Sequence, residues 1–195
     1  MKNSWLVLVL CLGLLGVGAT AGSAQVFTPS YLSPRAGGDL GLYLSERPGN
    51  FALEGIWRRN LGGYDLGVRL GVADVQDAAV LLGGELRNPF QVEGAPLNLA
   101  FSSGVQAILT EDFTSAGFIV GVTAGRTFIP GDFSVTPYIH PRVGLVSAPR
   151  RDADLRARIL ADIGVDVAFQ PNLSFRIGLG IGSETSDWGI GLAWR

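Results

Sequence analysis

The stretch from Leu173 to Arg195 limits what this chain can fold into more than any other part of its sequence. Leu173, Phe175, Ile177, Leu179 and Ile181 share one parity, while Ser174, Arg176, Gly178, Gly180 and Gly182 share the other. Alternate side chains of a strand point to opposite faces, so this period of two predicts a strand with one greasy face and one small or polar face. Ser183 to Asp187 reads as a turn. The alternation then resumes, with Trp188, Ile190, Leu192 and Trp194 opposite Gly189, Gly191 and Ala193. The chain is therefore expected to end on a hairpin whose last strand carries an indole near each end.

The same alternation starts at Asp39, where Leu40, Leu42 and Leu44 oppose Asp39, Gly41 and Tyr43. It recurs at Phe51–Arg58, Tyr64–Ala73, Ala78–Arg87, Leu97–Leu109, Phe118–Gly125, Phe133–Val146 and Ile159–Phe169. Turn-forming clusters separate these runs: Arg47-Pro48-Gly49-Asn50, Asn60-Leu61-Gly62-Gly63, Pro130-Gly131-Asp132 and Gln170-Pro171-Asn172. Asn88–Pro96, with two prolines, is expected to be a long connection. The tally is about ten strands, or eight if the weak run at Ala78 and the proline-bearing run at Phe133 are discounted. Pro137 and Pro141 each remove a ladder hydrogen bond, so that strand is expected to be bulged or paired on one side only. No stretch after residue 24 has helical periodicity.

Residues 1–24 have the layout of a secretory signal peptide: Lys2, an apolar run from Leu6 to Val17, and Gly22-Ser23-Ala24 before Gln25. That run falls short of the roughly 20 residues a membrane-spanning helix needs. Cleavage after Ala24 would remove Cys11, the one cysteine, and with it any disulfide or thiol chemistry. Residues 25–38, holding Pro29, Pro34 and the Gly37-Gly38 pair, are expected to be a periplasmic leader segment, and 39–195 a single barrel domain. A net charge of −2 argues against a nucleic-acid partner.

Alternation alone leaves open which face points inward, since a soluble sandwich or lipocalin-like barrel turns its apolar face in. Two patterns favour the reverse. The non-apolar face carries Gly41, Gly67, Gly71, Gly83, Gly121, Gly125, Gly164, Gly178, Gly180, Gly189 and Gly191, and glycine inside a narrow barrel leaves room for large neighbours. Phe51, Trp57, Tyr64, Phe133, Phe169, Trp188 and Trp194 fall on the apolar parity near strand ends, where bilayer interfaces select aromatic rings.

Signal peptide, glycine-rich alternating strands and an aromatic-bearing terminal strand resemble the small outer-membrane β-barrel proteins of bacteria. The resemblance covers Asp39 to Arg195, with one departure: such barrels usually end on an aromatic residue, whereas Trp194 is here followed by Arg195. It implies an all-β, antiparallel up-and-down transmembrane barrel in the outer membrane, a monomer whose partners are membrane lipid and the barrel insertion machinery. It carries no functional residue over.

His140, the one histidine, shares parity with Tyr138 and Arg142 and is expected inside. An inward histidine can act as a general base, but the chemistry also needs a nucleophile or an acidic partner at its height. The same-face hydroxyl near it is Ser134, six residues along the strand. No catalytic residue, metal site or cofactor is therefore expected, and the chain is taken as non-enzymatic. The inward charges say more. By parity they include Asp39, Glu54, Arg58, Asp65, Arg69, Glu85, Arg87, Arg142, Arg158, Asp162, Asp166 and Arg176, which predicts an arginine–carboxylate network closing the lumen. A narrow pore for small solutes and a soluble exported ligand-binding barrel are the alternatives.

Overall fold

The computed structural model is a closed antiparallel barrel of ten strands, each paired with the next in sequence and the last with the first. It describes residues 30, 31, 33, 34, 37–75, 77–112, 114–147, 155–182 and 186–195; the expected signal peptide lies outside them. The strands are β1 (Asp39–Ser45), β2 (Phe51–Leu61), β3 (Tyr64–Val75), β4 (Asp77–Phe90), β5 (Asn98–Leu109), β6 (Thr114–Gly125), β7 (Ser134–Ser147), β8 (Leu155–Gln170), β9 (Leu173–Gly182) and β10 (Ser186–Trp194). The expected closing hairpin pairs Trp188 with Leu179 and Trp194 with Leu173. β10 then seals the barrel on β1, from Leu40↔Trp194 to Ser45↔Gly189. Closure leaves no free strand edge.

Parity sorts the side chains as the alternation implies. In β1, Asp39, Gly41, Tyr43 and Ser45 are buried while Leu40, Leu42 and Leu44 are exposed. Trp57, Tyr64, Phe133, Phe169, Trp188 and Trp194 all stand on the outside. An outer wall of leucine, valine and aromatic rings with charges inside is the inverse of a soluble barrel and suits a hydrocarbon environment.

Two local expectations change and one is met. β4 runs on through Pro89 to Phe90, so the long connection starts only at Gln91. Proline is tolerated there because β4 has passed the start of β3: their pairing ends at Asp65↔Arg87, and Pro89 pairs only with Ala100 of β5. Pro137 and Pro141 lie within β7, whose ladder to β8 is continuous, while its ladder to β6 breaks between Gly121↔Arg142 and Ala124↔Ile139. One-sided pairing is thus how the strand accommodates Pro141. Asp187, expected in the turn from Ser183, is instead the second residue of β10, and it is buried. Its neighbour across the ladder is Gly180, whose missing side chain leaves the space that the carboxylate fills.

The barrel's interior has two parts. Toward the end where β1 meets β2 and β3 meets β4, the interior holds an apolar cluster of Ala52, Ala73, Val75, Ala79, Leu81, Ile108, Ile119, Val146 and Leu160. Among the described residues the rest of the interior is mostly polar, with a second, small apolar cluster of Tyr31, Tyr43 and Ile56.

Candidate functional site

Each inward charge sits where strand parity puts it. Glu54, Arg58, Asp65, Arg69, Glu85, Arg87, Arg142, Asp162, Asp166 and Arg176 are all buried. Buried carboxylates and guanidinium groups are tolerable only when paired and hydrogen-bonded. Here the pairing is continuous. Arg176 holds Asp166 through Nε at 3.2 Å and also grips Asp39. Asp39 accepts from Arg58 Nη1 at 3.1 Å, and Arg58 Nε donates to Glu85. Glu85 faces Arg69 at 3.9 Å, Arg69 Nη2 donates to Glu54 at 2.9 Å, and Glu54 accepts from Gln106 at 3.0 Å. The string thus passes through β8, β9, β1, β2, β4, β3 and β5. A separate pair joins Asp65 to Arg87, directly opposite each other on β3 and β4.

Tyr43 braces the string. Its hydroxyl accepts from Arg176 Nη1 at 2.6 Å and from Arg58 Nη1 at 3.4 Å. Its ring packs against Gly41 and Gly191, positions where any Cβ would collide with it. The inward glycines around it therefore make room, as their pattern suggested.

Charge balance differs from the parity count. Among the described residues the buried set holds five arginines (58, 69, 87, 142, 176) and seven carboxylates (Asp39, Glu54, Asp65, Glu85, Asp162, Asp166 and Asp187). Arg158 is only half-buried, and Asp187 joins from β10.

A third cluster surrounds His140. Asp162 is its register partner on β8, at 3.3 Å from Nδ1, and Arg142 Nη2 donates to the other Asp162 oxygen at 2.7 Å. Ser102 Oγ lies 2.6 Å from Nε2. The hydroxyl facing His140 therefore comes from β5, two strands away, and not from Ser134 of its own strand. It reaches across because Gly121 of β6 stands between them, where a Cβ would sit 2.7 Å from His140 Nε2. Ser102, His140 and Asp162 thus stand in the order of a hydroxyl, base and carboxylate relay. All three are almost completely buried.

The leader supplies the fourth element, and sequence periodicity carried no sign of it. Ser30 and Tyr31 lie inside the barrel, each 1% exposed. The Ser30 main-chain N donates to Asp162 at 3.2 Å and its hydroxyl donates to the same oxygen at 2.7 Å, 2.7 Å from His140 Nδ1. Tyr31 stacks on Tyr43 with ring centroids 4.3 Å apart. Arg58 donates to the Ser30 carbonyl at 3.3 Å, and Arg87 to the carbonyls of Ser33 and Gly37.

A closed antiparallel barrel with an apolar outer wall and a charged interior is an outer-membrane β-barrel, and that is the class to which this chain belongs by fold. Among solved structures it is similar to the β domain of the Bordetella autotransporter BrkA, with a TM-score of 0.52 and 15% identity over 83% of this chain and 77% of that one. It is also similar to the KdgM porin, at 0.45 and 10% over 80% and 98%, and to LpxR from Salmonella typhimurium, at 0.45 and 11% over 89% and 78%. No family model and no curated protein matches the sequence.

Proposed function

We propose that this protein is a non-enzymatic, monomeric barrel of the outer membrane, with a structural or surface-interaction role and a lumen closed by its own side chains. The observation that carries this is the string of buried ion pairs from Asp166 to Glu54, extended by a hydrogen bond to Gln106. Ten strands are far fewer than the 16–18 that enclose an open aqueous channel. An interior this narrow is filled by side chains, and opposed charges within ion-pair distance fill it without stranding either sign. With every edge paired, strand addition offers no route to an oligomer. Membrane lipid and the insertion machinery are the partners this reading requires.

The test is electrical. Purified barrel in planar bilayers should show no steady conductance, whereas Arg69→Ala, which takes a cation from between Glu54 and Glu85, should admit ions. Large, stable wild-type channels indifferent to Arg69 would overturn the closed-lumen reading in favour of a narrow pore.

The Ser102–His140–Asp162 geometry favours a second reading, a hydrolase. Against it, Ser102 is 1% exposed, and Asp162 is shared with Arg142 and Ser30. A nucleophile without a path to substrate is a hydrogen-bonding group. Covalent labelling of Ser102 by a fluorophosphonate, lost in His140→Ala, would establish the enzyme instead.

A further inference from the structure

We propose that the polar side of the lumen is a binding site for a short hydroxyl-bearing peptide, and that its occupant is this chain's own leader, whose described residues Ser30, Tyr31, Ser33, Pro34 and Gly37 act as a removable stopper. The proposal rests on the closed-lumen reading and adds what completes the closure.

The segment is recognised in two ways. Its main chain is read by arginines: Arg58 takes the Ser30 carbonyl, and Arg87 those of Ser33 and Gly37. These bonds would hold any extended backbone at that depth. Its side chains are read by shape and chemistry. The Ser30 hydroxyl fits between His140 Nδ1 and Asp162, 2.7 Å from each, while its own N–H also points at Asp162. Tyr31 lies against Tyr43, with its hydroxyl end over Gly189, where any side chain would strike it. Pro34 lies near Gly125, where an added Cβ would come within 3.0 Å of it. The site therefore selects a hydroxyl followed by an aromatic ring.

Two observations make the segment a ligand and not a strut. Its described residues belong to none of the ten strands, so their leaving breaks no β-ladder. More tellingly, its departure strands no buried charge. Arg58 keeps Asp39 and Glu85, Arg87 keeps Asp65, Asp162 keeps Arg142, and His140 keeps Ser102. A strut would be the sole partner of the groups it touches, because an abandoned buried charge is strongly destabilising. The Tyr31 hydroxyl, buried without a hydrogen-bond partner, is in turn a group that regains water on leaving.

The experiment uses the full chain. Ser30→Glu with Tyr31→Ala sets a second carboxylate against Asp162 and removes the stacked ring; folding is checked by heat-modifiable gel mobility. The double variant should conduct ions in planar bilayers where the wild type is silent. A synthetic peptide of residues 30–38 should block that current, and the same peptide carrying both substitutions should not. A folded double variant as silent as the wild type, or a current indifferent to both peptides, overturns the proposal and leaves the closed-lumen reading standing. A conducting wild type overturns that reading itself. If the double variant does not insert, Ser30→Cys in a mature chain without other cysteines answers the same question. The thiol should react with a small maleimide at least about ten-fold more slowly in the folded barrel than in urea, and excess wild-type peptide should abolish that protection. Equal rates in the folded and unfolded chain would sink the idea.

Discussion

Arg87→Met tests whether the buried charges hold the barrel together. Arg87 and Asp65 face each other across β3 and β4 with side chains 5% and 1% exposed. Arg87 binds Asp65 through Nε at 2.9 Å and through Nη2, and the carboxylate's other donor is Asn60 Nδ2 at 2.8 Å. Methionine keeps much of the apolar stem and removes every donor. Breaking a buried pair by deleting one partner typically costs about 3–5 kcal/mol, because the remaining charge is left in a low-dielectric site. Asn60 still supplies one bond, so the lower end applies: about 3 kcal/mol, or roughly a hundredfold in the folding equilibrium. Deleting both charges should recover most of that loss, so Asp65→Asn/Arg87→Met should be more stable than Arg87→Met. Arg87 also holds two leader carbonyls, a loss shared by the single and double variants and therefore cancelled between them. Urea titration of barrel in lipid vesicles, followed by tryptophan fluorescence and gel mobility, measures all four corners of the cycle. If Arg87→Met stays within about 0.5 kcal/mol of the wild type, or the double variant is no better than it, the network is not what stabilises the interior.

The outer wall makes a separate prediction: Leu70, at mid-strand on β3 and 58% exposed, should tolerate arginine only if water surrounds it. At a bilayer midplane Leu70→Arg should cost about 2–4 kcal/mol in vesicle unfolding, and an unaffected midpoint would point to a soluble barrel. Gly41→Ala pushes a methyl into the Tyr43 ring and should destabilise by about 1–3 kcal/mol, with no measurable effect in a Tyr43→Ala background. Ser102→Ala leaves His140 Nε2 without its hydroxyl partner and should lower stability by about 1–3 kcal/mol while changing no lipid or peptide hydrolysis; an activity that vanishes with the hydroxyl would favour the enzyme. An orientation with both chain ends on the periplasmic side predicts that Ala153→Cys, between β7 and β8 in sequence, labels from outside in intact cells; labelling only after permeabilisation would invert it.

What the sequence determined by itself is everything that depends on a period of two. Parity along one strand decides which side chains face in, so the inward ion-pair residues, the outward aromatics and the final hairpin were all legible. Even the pairing across neighbouring strands of Arg69 with Glu54, Arg87 with Asp65 and Arg176 with Asp166 lay within reach, because opposite charges inside a narrow tube have few alternatives. Only the tertiary structure decided what meets across strands that are not neighbours. Ser102 reaches His140 over Gly121 because the registers of β5, β6 and β7 align them, and register is set by turns and closure, not by alternation. Asp187 lies inside because β10 begins earlier than its polar residues suggest, with Gly180 leaving it space. The place of Ser30 and Tyr31 in the lumen has no periodic signature at all. Ser30 and Tyr31 are ordinary loop residues until a closed barrel supplies a carboxylate, an imidazole and a tyrosine ring to receive them.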